Sequence, residues 1–522
     1  MKILAYGLSH DVSWIYYDTE VKKLYMFSAE REYNVKHATI RFKDILFILR
    51  NKFQFDPKNN KDHYVIGWQP KMPPLINKDK YPSKNELYKV SDNFIQVDHH
   101  YLHILSSLVI NDNADFGIAI DGEGDYNRKC MIMDNLHDLS KTRFLVPDEN
   151  PIIGKLFKLM ASKFKFNHTN STLAESLQDT NQDVGKIMGL QAYGKVNDIL
   201  YKELSQYSLT KENFSNFEYI FDRELSKIDL NDQKSNFDSV TTIYKFLCDA
   251  ILSIFKNYAP KNKLIAYSGG CALSTVANDL LLKNNYNIVV CPAANDGGLS
   301  LGAIKFADLY FKLSIDFSNI IKIYYNDLEE ELLSYENAKK IANLLVKGEI
   351  VALVQGSGEV GPRALGWRSL LMNPSIPNGK DVINSKVKHR EWWRPFGGST
   401  ITTDIIKNYK KSNLDYYMLR NFEIKEEWHE SLRSIIHKDG SCRLQIIENK
   451  DEPLYKIIEE FYKLTGIPAV LNTSYNLGGK PIPNYHKYVI DTFRNMTNVN
   501  FLFYNNRIYI KNKTNEVVEM RS

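Results

Sequence analysis

Three apolar, β-branched runs in this chain end at glycine turns, two of which also carry carboxylates. FGIAI runs into DGEGD, LIAYS into GGCALS, and the strand pattern at 287–292 into NDGGLSLGA. Behind the second and third turns the apolar spacing changes to that of a helix, one of them beginning near Ala272. Strand, glycine turn, helix is the pattern of a layered α/β fold, because the helix must return across a sheet face to bury its apolar stripe. The same turns aim amide donors and the positive end of a helix dipole at one place, which suits a phosphate or another anion. Neither turn holds GxGxxG or the P-loop lysine, which excludes a Rossmann fingerprint and a Walker motif.

The stretch before the first turn reads VDHHYLH. His99 and His103 are four apart, so on a helix both imidazoles leave one face a turn apart. Two imidazoles and Asp121 at a strand end form a reasonable ligand set for a divalent transition metal. A surface histidine cluster beside an ordinary acidic turn fits the same residues. Asp296, the acid of the NDGG turn, lies at the same kind of strand end and offers a fourth ligand.

The N-terminus reads strand, turn, strand, turn, strand: KILAYG, then WIYYD, then KLYMFSAE. That is how a ribonuclease-H-like or actin-like lobe begins, with His10, Asp11 and Ser13 in a turn that would face nucleotide phosphates. A solvated β-hairpin is the plainer alternative. Glu30, Arg31, Lys36 and His37 follow the third strand, and 41–55 and 238–259 have helical periodicity. Residues 70–82 form a proline- and lysine-rich loop. Two strand–glycine–helix units facing each other across a cleft are also how actin-like ATP-binding folds are assembled.

A domain boundary falls in 314–332. Beyond it a helix ends at Gly348 and EIVALVQG reads as a buried strand. Arg363, Arg368, Lys386, Lys388, Arg390 and Arg394 then crowd two glycine-rich stretches. Such cations suit an anion with several oxygens, held by guanidinium forks. The interleaved Trp367, Trp392, Trp393 and Phe396 argue against a mere basic surface loop. Arg443, in DGSCRLQ, is either one more cation for that anion or a strand-end surface residue. LNTSYNLGGKPI is a strand opening into a polar loop, where Asn472, Thr473, Ser474 and Asn476 can donate hydrogen bonds. The chain closes on the strand FLFYNNRIYIKN.

Composition narrows the functional classes. At 522 residues two or three domains are expected, and a net charge of +5 from 67 basic and 62 acidic residues leaves no nucleic-acid footprint. Five scattered cysteines without CxxC spacing suit a reduced, cytoplasmic setting. The N-terminus has no signal-type apolar stretch, and no run is long enough to span a membrane.

Taken in order, HDVS, ERExxxKH, DHHxxH, DGEGD, GKIMGLQAYG, SGGCALS, NDGGLSLGA, GEVGPRALGWRSLL, VKHREWWRPF, DGSCRLQ and LNTSYNLGGKPI resemble the O-carbamoyltransferases of antibiotic and nodulation-factor biosynthesis. The resemblance covers nearly the whole chain. It implies an actin-like, duplicated domain over 1–325 similar to threonylcarbamoyl-tRNA synthases, fused to a YrdC-like α/β domain over 326–522. The second domain would turn carbamoyl phosphate and ATP, with Mg2+, into carbamoyl adenylate and pyrophosphate. The first would pass the carbamoyl group to an acceptor hydroxyl and release AMP.

By position, Arg363, Lys388 and Ser474 match carbamoyl-phosphate ligands, with Arg394 and Arg443 as further candidates. His99, His103, Asp121 and Asp296 match the ligands of a metal, iron(II) or another divalent ion. His10 and Lys36 match residues of the transfer site, His10 as general base in its neutral form. Asp121, Gly122, Gly189, Gly269, Gly270, Asn295, Gly297 and Gly298 match the nucleotide cradle. Ser274 where relatives carry asparagine, and GLQAYG for GLAxYG, depart from the family pattern. Small-molecule substrates are implied and no membrane. The acceptor is open among sugars, aminoglycosides, nucleosides or modified bases and polyketides, and a homodimer is compatible. Loops 68–92 and 135–175 are the expected acceptor contacts. A threonylcarbamoyl-type tRNA-modifying enzyme, or an actin-like kinase or ATPase with a binding module, are the competing readings.

Overall fold

The expected N-terminal meander forms. In the computed structural model β1 (Lys2–Gly7), β2 (Ser13–Asp18) and β3 (Lys23–Ser28) pair antiparallel, and β2 is buried along its whole length. All residues are described except 37, 70–86, 148, 165–183, 323, 326–332, 513–515 and 521–522. The loop at 70–82, His37 and parts of the boundary at 314–332 and of the acceptor loops at 68–92 and 135–175 lie outside the described residues.

Residues 1–30 and 37–320 form a first unit, and residues 31–36 with 321–522 a second. The division thus falls after residue 320, and a short N-terminal segment belongs with the C-terminal half. Arg31 explains that membership. It is buried, donates to the Glu359 carbonyl at 2.8 Å and to that of Gly361 at 3.3 Å, and lies 3.9 Å over the Tyr324 ring.

The first unit holds two sheets. The first adds β4 (His63–Trp68), β5 (Tyr88–Ser91) and β6 (Phe94–Val97) in the order β3-β2-β1-β4-β6-β5. The second consists of β7 (Phe116–Ile120), β8 (Cys130–Asp134), β9 (Arg143–Leu145), β10 (Leu264–Ser268) and β11 (Asn287–Val289), in the order β11-β10-β7-β8-β9. In each, an antiparallel meander ends on a strand whose other neighbour is parallel: β1 beside β4, and β7 beside β10. Burial on both faces is why these strands read as continuous apolar runs and not as alternation.

Two helices make the core of this unit. His99–Leu108 is buried at all ten positions and packs on β7 and β10; Leu299–Phe311 packs on β1, β2 and β4; and the two helices pack on each other. Gly302 makes that approach close, since a Cβ there would stand 2.0 Å from the Leu102 carbonyl oxygen.

The second unit is organised on one sheet, β15-β16-β14-β17-β13-β12-β18-β19-β20. Its strands are β12 (Val351–Val354), β13 (Arg368–Met372), β14 (Gly397–Thr400), β15 (Phe422–Glu423), β16 (Ser441–Ile446), β17 (Ala469–Ser474), β18 (Phe501–Tyr504), β19 (Arg507–Lys511) and β20 (Val517–Glu519). Both units are therefore α/β with mixed sheets. Among the described residues no helix is long and apolar enough to cross a membrane.

Three expectations are corrected in detail. The closing strand is a hairpin, turned by Asn505 and Asn506 at φ 47° and 53°, a left-handed pair that asparagine tolerates. The strand expected at 287–292 stops at Val289. The helix expected near Ala272 begins at Thr275, capped by the Ser274 hydroxyl on the Ala277 amide, after a short 3-10 turn.

Replacing Gly302 with alanine forces the two central helices apart. The expected cost is about 1–3 kcal/mol, typical of overpacking. It is read as a lowered midpoint in chemical or thermal unfolding, and an unchanged midpoint would contradict the close packing.

Candidate functional site

The VDHHYLH segment folds as a helix because Asp98 caps it, its carboxylate accepting the Tyr101 amide at 3.1 Å. Four-residue spacing then brings His99 Nε2 and His103 Nε2 to 3.1 Å of each other. Asp121 Oδ2 lies 3.2 Å from His99 Nε2, and Asp296 Oδ1 lies 3.2 Å from His103 Nε2. One ligand atom from each residue falls within a 4.8 Å cluster, and both histidines are fully buried. The surface-cluster alternative is thereby ruled out.

Two imidazole nitrogens this close cannot face each other as bare lone pairs. A proton or a cation has to lie between them and the carboxylates. Burial disfavours charge on His103, yet its hydrogen bonds to Asp121 and Asp296 outweigh that and raise its pKa to about 9. Burial also raises Asp121 and Asp296, but the adjacent imidazoles win and hold both carboxyls below the usual range. The donor set, two nitrogens and two carboxylate oxygens converging in a buried place, fits a divalent ion such as iron(II).

The turn after β1 reaches the same cluster. His10 Nδ1 lies 3.3 Å from Asp296 Oδ2, the oxygen not aimed at His103, and His10 Nε2 lies 3.5 Å from Asp11 Oδ2. Asn295 Nδ2 donates to Asp11 Oδ2 at 2.6 Å. His10, Asp11, Asn295 and Asp296 are thus one group, and the His10 side chain keeps 29% exposure, enough to meet a substrate.

Two of the expected glycine turns meet at Asp121. β10 runs parallel to β7, so the Gly269–Gly270 turn follows its strand beside the Asp121–Gly122 turn, and the Gly270 amide donates to Asp121 Oδ1 at 3.0 Å. Gly269 takes φ +88°, and a Cβ there would meet the Ile120 carbonyl oxygen at 2.3 Å. Gly297 and Gly298 form the short turn that begins at Asp296. Gly189 lies in a helical stretch at 184–190 that leads into the 3-10 turn Gln191–Tyr193.

Sequence reasoning missed Asp125, although it closes the DGEGD motif. Its carboxylate accepts the His99 amide and Trp68 Nε1, each at 2.9 Å, and so ties the start of the histidine helix to β4.

In the second unit β14 aligns Gly397 with Arg443 on one side and Asn472 on the other. Lys388 is buried. Its Nζ donates to the Ser474 carbonyl and, at 2.8 Å each, to the Asn476 carbonyl and Asn476 Oδ1, which also accepts the Ser474 hydroxyl at 2.6 Å. Asn476 thus holds both the Lys388 ammonium and the Ser474 hydroxyl.

Burial lowers the Lys388 ammonium well below the lysine range, and the charges of Arg390, Lys36 and Arg394 lower it further. Burial lowers Arg390 likewise, with Arg394, Arg443 and Arg363 adding to it against Glu391. Burial lowers Arg443 to about 10, with Arg394 contributing. The charges of Arg363, Arg394 and Arg443 thus reach Arg390, and those of Arg390 and Arg394 reach Lys388; Glu391, paired with Arg394 at 3.2 Å, offsets part of this, and an anion would relieve the rest.

Lys36 falls within the second unit, where its charge acts on Lys388. Arg368 is fully buried and donates to the carbonyls of Pro483, Gln355, Trp367 and Gly356, so its fork is spent on the backbone.

Known proteins match both halves. The family model for the carbamoyltransferase N-terminus covers residues 76–304 and that for the carbamoyltransferase C-terminus covers 342–511. An uncharacterized protein of Methanocaldococcus jannaschii is 29% identical over 76% of this chain and 71% of its own length. Nodulation protein NolNO of Sinorhizobium fredii is 31% identical over 44% of this chain, and nodulation protein U of Azorhizobium caulinodans is 31% identical over 41%. These matches take in 37% and 40% of the two nodulation proteins. Component A of the (R)-2-hydroxyglutaryl-CoA dehydratase of Acidaminococcus fermentans overlaps 60% of this chain and 99% of its own at 13% identity, with a TM-score of 0.36, too loose to guide function.

Purified protein should bind about one divalent ion per chain, and His103→Ala should abolish this, as read by elemental analysis. Because the metal-free site holds a proton on His103 up to a pKa of about 9, binding near neutral pH must release it. Affinity should therefore rise about tenfold per pH unit between pH 7 and that value. Metal affinity that is flat in pH would argue against the site.

Proposed function

The chain belongs to the carbamoyltransferase family, and from that premise we propose that it is an ATP-dependent O-carbamoyltransferase working in two steps. One observation carries the reading: each matched segment contains a charged cluster of the kind its step requires. Carboxylate and imidazole gather in the first, ammonium and guanidinium in the second.

Activation belongs to the second unit. Arg363, Lys388, Arg394 and Arg443, with the Ser474 hydroxyl, bind carbamoyl phosphate, a small dianion suited to forked donors. Water is taken up as phosphate leaves, and the carbamate oxygen attacks the α-phosphorus of ATP, held as its magnesium complex. Pyrophosphate departs and carbamoyl adenylate remains.

Transfer belongs to the first unit, which on this reading is actin-like. Support comes from its two sheets, which share one strand order and one sequence of senses over five strands, the first adding β5 at its edge. The turns at Asp121–Gly122, Gly269–Gly270 and Asn295–Gly298 hold the adenylate. His10, oriented by Asp296 and Asp11, takes the acceptor's hydroxyl proton. The oxygen bonds to the carbamoyl carbon, the carbon–oxygen bond to phosphate breaks with its electron pair, and AMP is released. A divalent ion bound by His99, His103, Asp121 and Asp296 supplies positive charge for the phosphate oxygens. The acceptor is a hydroxylated small molecule, a sugar or nucleoside among them.

Incubation with carbamoyl phosphate, ATP and magnesium but no acceptor should release pyrophosphate and leave carbamoyl adenylate detectable by mass spectrometry. ADP as the nucleotide product would overturn the proposal. His10→Asn should still form adenylate but lose transfer by roughly a hundred- to ten-thousandfold.

A further inference from the structure

The cradle of the first unit contains a cation that neither the family motifs nor the ligand set assigns. Helix Ile153–Ser162 packs against the Asp121–Gly122 turn through Gly154, where a Cβ would stand 2.5 Å from the Asp121 carbonyl oxygen and 2.8 Å from the Gly122 amide nitrogen. Lys158 is four residues on, hence on the same helix face. Its Nζ lies 2.9 Å and its Cε 3.2 Å from where a Gly122 Cβ would be. It is half-buried, and its charge acts on Cys271, in the 3-10 turn that starts at Gly270. The ammonium therefore lies against the first glycine turn, and its field reaches the second.

Lys158 also differs from the lysines around it. Lys129 and Lys155 pair with Glu123 at 3.3 Å and 3.0 Å, and Lys163 pairs with Asp222 at 2.9 Å. Lys158 has no carboxylate within ion-pair distance among the described residues. A half-buried ammonium without a counter-ion, facing a turn cleared by glycine, is a site for an anion.

We propose that Lys158 is the cation that contacts the nucleotide phosphate in the first unit, an inference that rests on the transfer role proposed above. When the carbon–oxygen bond to phosphate breaks, its electron pair stays on AMP, whose phosphate gains a negative charge beside the Asp121 carboxylate. Lys158 compensates that gain through a charge-assisted hydrogen bond, while the hydroxyl proton goes to His10. It is a binding and positioning residue for the leaving group and takes no part in activation.

The test is calorimetric binding of AMP and of adenosine to the full-length, metal-loaded protein, for wild type, Lys158→Gln and Lys158→Arg. Wild type should bind AMP more tightly than adenosine. Lys158→Gln should bind AMP roughly ten- to a hundredfold more weakly, with adenosine unchanged, and Lys158→Arg should recover most of the loss. Acceptor-free pyrophosphate release should be equal in all three, and unchanged adenosine binding shows that the first unit is folded in each variant. Equal AMP affinity in wild type and Lys158→Gln would overturn the assignment and leave the transfer role standing. Failure of wild type to bind either AMP or adenosine would overturn both.

Discussion

The first site depends on how closely two helices approach. Asp296 comes three residues before the helix Leu299–Phe311, while His99 and His103 lie on His99–Leu108. Whatever sets the spacing of those helices also sets the distance between a carboxylate and two imidazoles. Gly302 sets it, by letting the second helix rest on the Leu102 carbonyl. Asp121 arrives separately, at the end of β7, on which the histidine helix also packs. Four ligands from three distant segments therefore converge because one layer of glycine-mediated packing fixes all three.

That is also why the cluster could be read only partly from the residues. Spacing of four on a helix is local information, so the pairing of His99 with His103 was legible. Asp121 and Asp296 could be recognised as acids at strand ends, but no periodicity states that the two ends meet. The family resemblance supplied that link, and the geometry provides its physical cause. Burial was not legible either: HHYLHILSSL could have lain on the surface, and only its position beneath β7 and β10 excludes water. Unit membership was not legible at Lys36. Its neighbours in sequence belong to the first unit's opening meander, yet the buried Arg31 draws residues 31–36 into the second unit. Arg368 shows a third, because composition counts cations and does not reveal which are already bound to carbonyls.

The β elements were read best where their sequence had an abrupt end. The three strands of the first meander appear at the expected places because polar turns interrupt them. The closing hairpin was read as one strand because Asn505–Asn506 sits between two runs of the same character. An asparagine pair is the signal for a left-handed turn, and it outweighs the continuity of the flanking aromatics.

The two clusters have opposite electrostatic requirements, and this argues for their separation. Two carboxylates and two imidazoles brought within a few ångströms are stable only around a proton or a cation. Burial and neighbouring cations depress Lys388, Arg390 and Arg443, and such a set favours an anion. A single pocket containing both sets would collapse into internal ion pairs, as Arg128 and Asp98 do at 2.8 Å elsewhere in the first unit. Each set belongs to a unit of its own. On the proposed chemistry this is what a carbamoyl transfer through an adenylate demands. The strongly anionic substrates are captured where cations outnumber carboxylates, and the singly charged intermediate is consumed where a hydroxyl proton must be taken up by a base such as His10.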